Sequence, residues 1–164
     1  MIDFRSFSSL WFWIALAVMW STASHWVLGV PWDLVRRARR KGGQAAEDVH
    51  LLARIYSERL LEIGRMAGLW LVALVAFLHS SLIVLGFLYR IQFAQALLCL
   101  ALPMTLVGAL SLRAAARITA AGLEGAPLYR ALAWHRRSIQ AVGVVSIFIT
   151  SIWGMVQSLR VGLH

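Results

Sequence analysis

Histidine is the residue type in this chain best suited to ligand or proton chemistry, and two of the five histidines lie in strongly apolar runs. These two are His25 and His79. An imidazole nitrogen ligates iron or makes a hydrogen bond at neutral pH. An ionisable side chain inside a long apolar segment is a candidate functional residue by default. His25 and His79 are therefore the candidate binding residues for a lipid, a quinone or a haem.

One haem bound by both histidines would require the two side chains to lie at similar depth. If the two apolar runs are antiparallel helices, His25 lies about five residues from one edge and His79 about twelve residues from the same edge. At about 1.5 Å per residue the offset is roughly 10 Å. We therefore expect each imidazole to be a structural group, hydrogen-bonded to a neighbouring helix, and not one of a pair of haem ligands.

The remaining polar residues form no catalytic set. No Asp or Glu lies in any apolar run, and the sequence shows no Ser-His-Asp set, no phosphate-binding loop and no suitable carboxylate pair. The single cysteine, Cys99, excludes an intramolecular disulfide and a Cys-based metal site. We predict that the protein is not an enzyme and holds neither a metal ion nor a resident cofactor.

Apolar residues make up 60% of the 164 residues, well above the roughly 45–50% of a soluble domain. Most of the charged residues gather in two segments, 31–65 and 113–137. The chain has four apolar runs near the ~20 residues that cross a bilayer, at about 8–30, 66–88, 93–112 and 138–159. We predict an all-α polytopic membrane protein with one membrane domain. Its four spans form an antiparallel transmembrane bundle, and the two charged segments form cytoplasmic helical extensions.

Glycine and proline predict where the helices break. Pro31 opens a short basic helix, and Gly42-Gly43 ends it. A second, amphipathic helix begins at Gln44 and meets no strong breaker before the second span, so we expect one long helix. Residues 122–127 predict a stop and a restart. Pro103 lies in the middle of the third span and is expected to kink it.

The cations alternate along the chain in step with the predicted spans. The five segments between and beyond the spans carry 1, 8, 1, 5 and 1 of the 16 basic residues. Cytoplasmic loops are enriched in Lys and Arg, so both termini are predicted to be periplasmic. The first run is expected to be an uncleaved anchor, because its flanking cations follow it. The Arg- and Ala-rich composition is typical of a GC-rich genome, which favours a multi-pass protein of a bacterial inner membrane.

A cluster of five cations directly follows the first span: Arg36, Arg37, Arg39, Arg40 and Lys41. Each cation near an anionic membrane contributes about 1 kcal/mol to binding. We predict that this cluster binds anionic lipid and also sets the topology. The net charge of +9 is distributed by membrane side, so nucleic acid is not an expected partner.

Small residues recur at every fourth position on three spans. The sets are Ala17, Ser21, His25 and Gly29; Gly64 and Gly68; and Ser146, Thr150, Gly154 and Ser158. Such faces let helices approach closely in lipid. Packing inside the bundle is one interpretation, and docking on another membrane protein is the alternative.

Four stretches carry a resemblance to a known family. They are Arg5-Ser-Phe-Ser-Ser-Leu-Trp-Phe-Trp-Ile-Ala-Leu-Ala, Trp20-Ser-Thr-Ala-Ser-His-Trp-Val-Leu-Gly-Val-Pro, Phe93-Ala-Gln-Ala-Leu and Ala101-Leu-Pro-Met-Thr-Leu-Val-Gly. They resemble small bacterial four-helix inner-membrane proteins sometimes labelled as a component of the SufBCD complex. That label implies iron–sulfur cluster assembly, but one cysteine provides no cluster-ligand spacing. The resemblance therefore assigns no functional residue.

The predicted function is that of a non-enzymatic integral membrane accessory or assembly protein that packs against a partner. The amphipathic helix that begins at Gln44 offers more surface than a bare bundle needs. Expected partners are membrane lipids and another membrane or cytoplasmic protein. The alternative is a membrane binding module for a lipid, quinone or haem that uses His25 or His79.

Overall fold

The computed structural model describes the backbone of residues 10–162 and the side chains of residues 10–157 and 159. The chain is about 90% helical, which confirms the all-α prediction. In chain order the elements are α1 (Leu10–His25), the short strands β1 (Trp26–Val27) and β2 (Val30–Pro31), α2 (Trp32–Lys41), α3 (Gln44–Ile83) with a π-helical end (Val84–Leu88), α4 (Gln92–Ala120) and α5 (Gly125–Gly162).

Within residues 10–162, three helical segments are long and apolar enough to cross a membrane, which is consistent with a membrane protein. They are Gln44–Leu88, Gln92–Ala120 and Gly125–Gln157. The described part of the first expected span is α1, which has 16 residues. Residues 8 and 9 of that expected span lie outside the described chain.

Helix α1 ends at His25, five residues before the expected end of the first span, because residues 26–31 form a tight hairpin. Trp26 pairs with Pro31, and Val27 pairs with Val30. The two central residues, Leu28 and Gly29, have φ values of 50° and 71°. Positive φ at both positions is the type I′ arrangement that matches strand twist. The hairpin reverses the chain and buries Val27 and Val30 in the core.

The predicted glycine break and the long third helix are both confirmed. Gly42 and Gly43 have φ values of 61° and 56°, and α3 begins at the next residue. Helix α3 then runs for 40 residues, which is roughly 60 Å at 1.5 Å per residue. Helix α4 ends at Ala120 and α5 begins at Gly125, so the predicted stop and restart is also present.

The larger of the two cores of the described chain lies mainly in the charged segments, together with the hairpin at the end of the first expected span. It joins the hairpin, α2, the first turns of α3, the end of α4 and the start of α5. Its fully buried members include Val35, Val49 and Leu132. The segments predicted as helical extensions therefore pack on one another as a helical layer. A smaller core around Leu16 and Trp20 joins α1 to α4 and α5.

The long helices pack as an open row. Helix α3 packs on α4, α4 on α5, and α5 on α1. Helices α1 and α3, at the two ends of the row, do not pack along each other. Each inner helix of the row is covered on two sides, whereas α3 is covered mainly on one. This asymmetry leaves the apolar part of α3 the least buried of the three long apolar segments.

Candidate functional site

His79 makes the kind of contacts expected of a structural histidine. Its Nδ1 lies 2.8 Å from the carbonyl oxygen of Val75, one turn earlier in α3. A carbonyl only accepts, so Nδ1 carries the hydrogen and donates it. The Nε2 atom, which carries no hydrogen, faces the Thr105 hydroxyl of α4 at 3.4 Å, but the single hydrogen of that hydroxyl is donated to the Ala101 carbonyl at 2.8 Å. His79 therefore contributes one long polar contact between α3 and α4.

His25 has different neighbours, at the other end of the helix row. It is the last residue of α1, and its Nε2 lies 3.8 Å from Oδ1 of Asp33 in the first turn of α2. Its ring meets the Trp26 ring edge to face at 6.0 Å. No hydrogen bond or ring contact joins His25 to His79 in the described chain, and no cluster of three or more potential metal ligands occurs there. A binding role for either histidine stays a prediction.

A polar pocket of about 360 Å³ lies beside His25, where the end of α1 meets α5. Arg136 of α5 lines it and is half-buried. The Arg136 Nε donates to the Ser24 carbonyl at 3.0 Å, and its guanidinium carbon lies 4.6 Å above the centre of the Trp32 ring. The other lining residues are Ser21, Thr22, Ser24, His25 and Trp26. Nothing in the sequence pattern distinguished Arg136 from the other loop arginines.

The five predicted lipid-binding cations are all exposed on α2. Val35 and Ala38 on the opposite face are buried, so α2 is amphipathic and anchored by its apolar side. Arg40 Nε donates to the Arg36 carbonyl at 3.4 Å, and within the described chain none of the five cations is paired with a carboxylate. Lipid binding by Arg36, Arg37, Arg39, Arg40 and Lys41 stays a prediction.

A buried glutamine, Gln95, forms a polar network that the sequence analysis missed. Its Nε2 donates to the Gly86 carbonyl at 2.6 Å, within the π-helical end of α3. Its Oε1 accepts from Gln157 Nε2 at 2.7 Å and from Trp153 Nε1 at 3.2 Å, both on α5. One side chain of α4 thus ties together all three long apolar segments. An uncharged polar residue inside a predicted span is the signal that would have identified it.

The sequence analysis also did not predict a contact of His135, which lies three residues before the expected fourth span. The His135 ring is buried, and its Nε2 lies 3.2 Å from the Ser111 hydroxyl on α4. Burial lowers the pKa of His135, because removal from water disfavours the charged imidazolium. The neutral ring therefore belongs to the folded contact between α4 and α5.

The small-residue faces differ in their environment. On α5, Ser146, Thr150 and Gly154 are buried, and the first two line an apolar cavity of about 520 Å³ together with Cys99 and Pro103 of α4. The Ser158 side chain lies outside the described residues. This face packs inside the fold. The cavity itself is open toward the exposed side chains of Leu102 and Ile149 among others.

The small residues of α1 and α3 are more open. Ala17, Ser21 and His25 are exposed on α1. A Cβ atom added at Gly64 would lie 3.2 Å from Leu112 Cδ1, whereas one added at Gly68 would meet nothing within 4 Å. These two faces therefore do not serve internal packing along their whole length.

Exposed apolar side chains surround Gly68 on α3. Of the most apolar 18-residue stretch of α3, 6% is buried against the rest of the protein, compared with 28% for the corresponding stretches of α4 and α5. Met66, Leu69 and Trp70 are 79%, 83% and 79% exposed. We name this region, residues 66–78, the α3 apolar surface.

Comparison with known proteins found no match among protein families, curated proteins or solved structures. The resemblance to proteins labelled as SufBCD components therefore stays a prediction. The functional argument rests on the geometry of the chain itself.

Proposed function

We propose that this protein is a non-enzymatic integral membrane accessory or assembly protein that packs against a partner through the α3 apolar surface. The observation that carries the proposal is the small buried fraction of the most apolar 18-residue stretch of α3, 6% against 28% in α4 and α5, and every residue of the α3 apolar surface is exposed or half-buried. The open helix row explains the difference, because α3 has a packing neighbour mainly on one side.

Lipid covers any apolar helix, so the argument for a protein partner needs a second feature. That feature is Gly68, which lies in the middle of exposed apolar side chains and has open space where a side chain would be. Glycine lowers helix stability by about 1 kcal/mol relative to alanine. A lipid-facing position gains nothing from glycine, whereas close approach of a second helix requires a small residue there. The Gly64–Gly68 spacing therefore favours a helix from a partner as the covering element.

The proposed topology has four spans, with α1 as the first, in a bacterial inner membrane. Both termini lie in the periplasm, and the helical layer built from the charged segments lies in the cytoplasm. The alternation of cations supports this orientation. Reporter fusions at Gly43 and Gly125 are expected to read cytoplasmic, and a fusion after His164 periplasmic. A cytoplasmic C-terminus would refute the four-span topology.

Site-specific photo-crosslinking tests the partner. A photoreactive amino acid replaces Leu69 or Val72 on α3, and Phe148 on α5 serves as the control, since all three side chains are exposed. We expect discrete protein adducts from the two α3 positions and lipid adducts alone from position 148. Lipid adducts alone at all three positions would contradict the proposal. An adduct of twice the protein's mass would identify a second copy of this chain as the partner.

A matched pair of variants separates partner binding from folding. Gly68→Leu on α3 and Gly108→Leu on α4 both enter open space, so neither is expected to lower the melting temperature. Gly68→Leu is expected to abolish the α3 adducts, and Gly108→Leu to leave them unchanged. Equal adduct yields in both variants would mean that the α3 apolar surface faces lipid.

A membrane binding module for a lipid is the second candidate function. The specific observation in its favour is the polar pocket that includes His25.

A further inference from the structure

The polar pocket beside His25 is built around a cation that has spare hydrogen-bond donors. Arg136 uses Nε for the Ser24 carbonyl at the end of α1, and its guanidinium plane is held against Trp32. A guanidinium has five N–H donors, four of them on the two Nη nitrogens. Within the described chain no acceptor binds these Nη groups, and no carboxylate is paired with Arg136. A fixed, half-buried cation thus presents its fork to the pocket.

The rest of the lining adds further donors. Ser21 and Thr22, which both carry a hydroxyl, line the pocket from the end of α1, whereas the Ser24 hydroxyl donates its hydrogen to the Ser21 carbonyl at 3.1 Å. His25 contributes an imidazole, whose Nε2 lies 3.8 Å from Oδ1 of Asp33. Asp33 carries one negative charge, but the same helix, α2, also brings Arg36 and Arg37. The local charge therefore remains positive.

We propose that this pocket binds a phosphate oxyanion, as carried by the headgroup of an anionic phospholipid. A planar guanidinium matches two phosphate oxygens at once, and the pocket volume of about 360 Å³ accommodates such a group. In the proposed topology, Arg136 lies two residues outside the fourth span and His25 lies near the inner end of the first. The pocket therefore opens at the depth of the cytoplasmic lipid headgroups, where anionic lipids concentrate.

This site differs in kind from the exposed cations of α2. The α2 cluster attracts negative charge without fixing its position, whereas Arg136 is held in place by α1 and α2 together. The pocket thus predicts a stoichiometric lipid. The inference depends on the membrane placement in the proposed function but not on a protein partner, so purified protein tests it.

The test uses the full chain in a zwitterionic detergent–phosphatidylcholine mixture at about 0.15 M salt, where the screening length is roughly 8 Å. Native mass spectrometry measures retained phosphatidylglycerol as its concentration rises. Arg136→Gln is expected to weaken retention about tenfold or more, because a charge-assisted bidentate contact is lost. Arg137→Gln, an exposed cation on the same helix, is expected to change it less than twofold. Equal effects of the two variants would overturn the proposal.

Arg136→Gln also removes a contact to α1, so a second variant separates binding from folding. Ser21→Leu fills the pocket from an exposed position and leaves Arg136 and its contacts in place. It is expected to abolish phosphatidylglycerol retention without lowering the melting temperature. Retention at the wild-type level in a folded Ser21→Leu protein would overturn the proposal.

Inorganic phosphate, titrated without phosphatidylglycerol, distinguishes the two sources of the oxyanion. An Arg136-dependent rise in melting temperature with phosphate, but no retained phosphatidylglycerol, would assign the pocket to a free anion. Retained phosphatidylglycerol that millimolar phosphate does not displace would assign it to a lipid. If neither response is observed, or if the responses do not depend on Arg136, the pocket binds no phosphate.

Discussion

Replacement of Gln95 by leucine tests whether the buried polar network stabilises the fold. The side chain bonds three groups on two other helical segments: the Gly86 carbonyl, the Trp153 indole and the Gln157 amide. Gly86 lies in the last turn before Tyr89, where carbonyl oxygens lack donors from the helix itself. Leucine has nearly the same volume but neither donates nor accepts a hydrogen bond.

The expected loss combines two contributions. A buried group left without a partner costs about 1–3 kcal/mol, which applies to the Gly86 carbonyl. Hydrogen bonds inside a membrane average about 0.6 kcal/mol, which applies to each of the two contacts with α5. The total is about 2–4 kcal/mol. For a chain of this size 1 kcal/mol shifts the melting temperature by roughly 2–4 °C, so Gln95→Leu is expected to lower it by about 4–16 °C.

Thermal unfolding in detergent, followed by tryptophan fluorescence or by loss of monodisperse protein, measures this effect. Gln140→Leu on α5 is the matched control, because Gln140 is exposed and makes no side-chain hydrogen bond in the described chain. It is expected to shift the midpoint by less than 2 °C. A Gln95→Leu midpoint equal to that of the control would refute the claim that this network holds the three helices together.

Three further predictions concern single positions. Gly143→Ala places a Cβ atom 2.8 Å from the Trp20 ring and is expected to cost about 1–3 kcal/mol of unfolding free energy. The control, Gly108→Ala, places its Cβ atom in open space and is expected to cause no measurable loss of unfolding free energy in the same assay. His79→Leu is expected to cost less than about 1 kcal/mol of unfolding free energy, since one of the two contacts of His79 is long. The variant is expected to retain function in a deletion-complementation assay. A variant that folds but is inactive would instead indicate that His79 binds a ligand. Burial lowers the pKa of His135 in the folded protein, so the unfolded chain takes up a proton at a higher pH than the folded protein does. The stability that this group contributes is therefore complete above the unfolded pKa of about 6.5. It falls as the pH drops below that pKa, by no more than about 1.4 kcal/mol per pH unit. His135→Gln is expected to remove that part of the pH dependence, and a melting temperature with the same pH profile in both proteins would show that the ring is accessible to water.

The helix boundaries that depend on local backbone chemistry were predictable from the sequence. Two adjacent glycines, Gly42 and Gly43, tolerate the positive φ values that end α2, and no proline interrupts the residues from Gln44 to the end of the second span. The length of α3 follows directly from that. These features are local, so a single sequence contains all the information they need.

The hairpin at 26–31 was not predicted, because hydrophobic periodicity has no contrast in a run that is almost wholly apolar. Leu28 adopts a positive φ that costs leucine roughly 1–2 kcal/mol, and the burial of Val27, Leu28 and Val30 against other elements offsets it. That compensation is tertiary, so the sequence around Leu28 does not reveal it. The spacing of Gly29 and Pro31 was the one local indication of a turn.

The candidate sites show the same division between local and tertiary information. His79 was recognisable as a half-buried polar group because its ionisable side chain stands out in an apolar run, but its hydrogen bond goes to Val75 on its own helix, and its contact with the Thr105 hydroxyl of α4 is long. Arg136 and Gln95 were not recognisable, because each acquires its role from residues far away in the sequence: Ser24 in one case, Trp153 and Gln157 in the other. Residue type alone does not distinguish them from their neighbours.

The open helix row has a consequence for the order of events during synthesis. Helix α1 is made before the other helices, yet the helix that it contacts most, through Trp20 against Gly143, is α5, the one made last, roughly 120 residues later. At about 5–20 residues per second a ribosome needs roughly 6–24 s to supply that partner. During this interval α1 lacks its α5 neighbour and has only the α4 side of its core, around Val107, while α3 and α4 can already pack as an antiparallel pair. The first helix is therefore the last to be fixed, and truncation of the nascent chain before α5 is expected to leave α1 accessible to proteases and insertion chaperones.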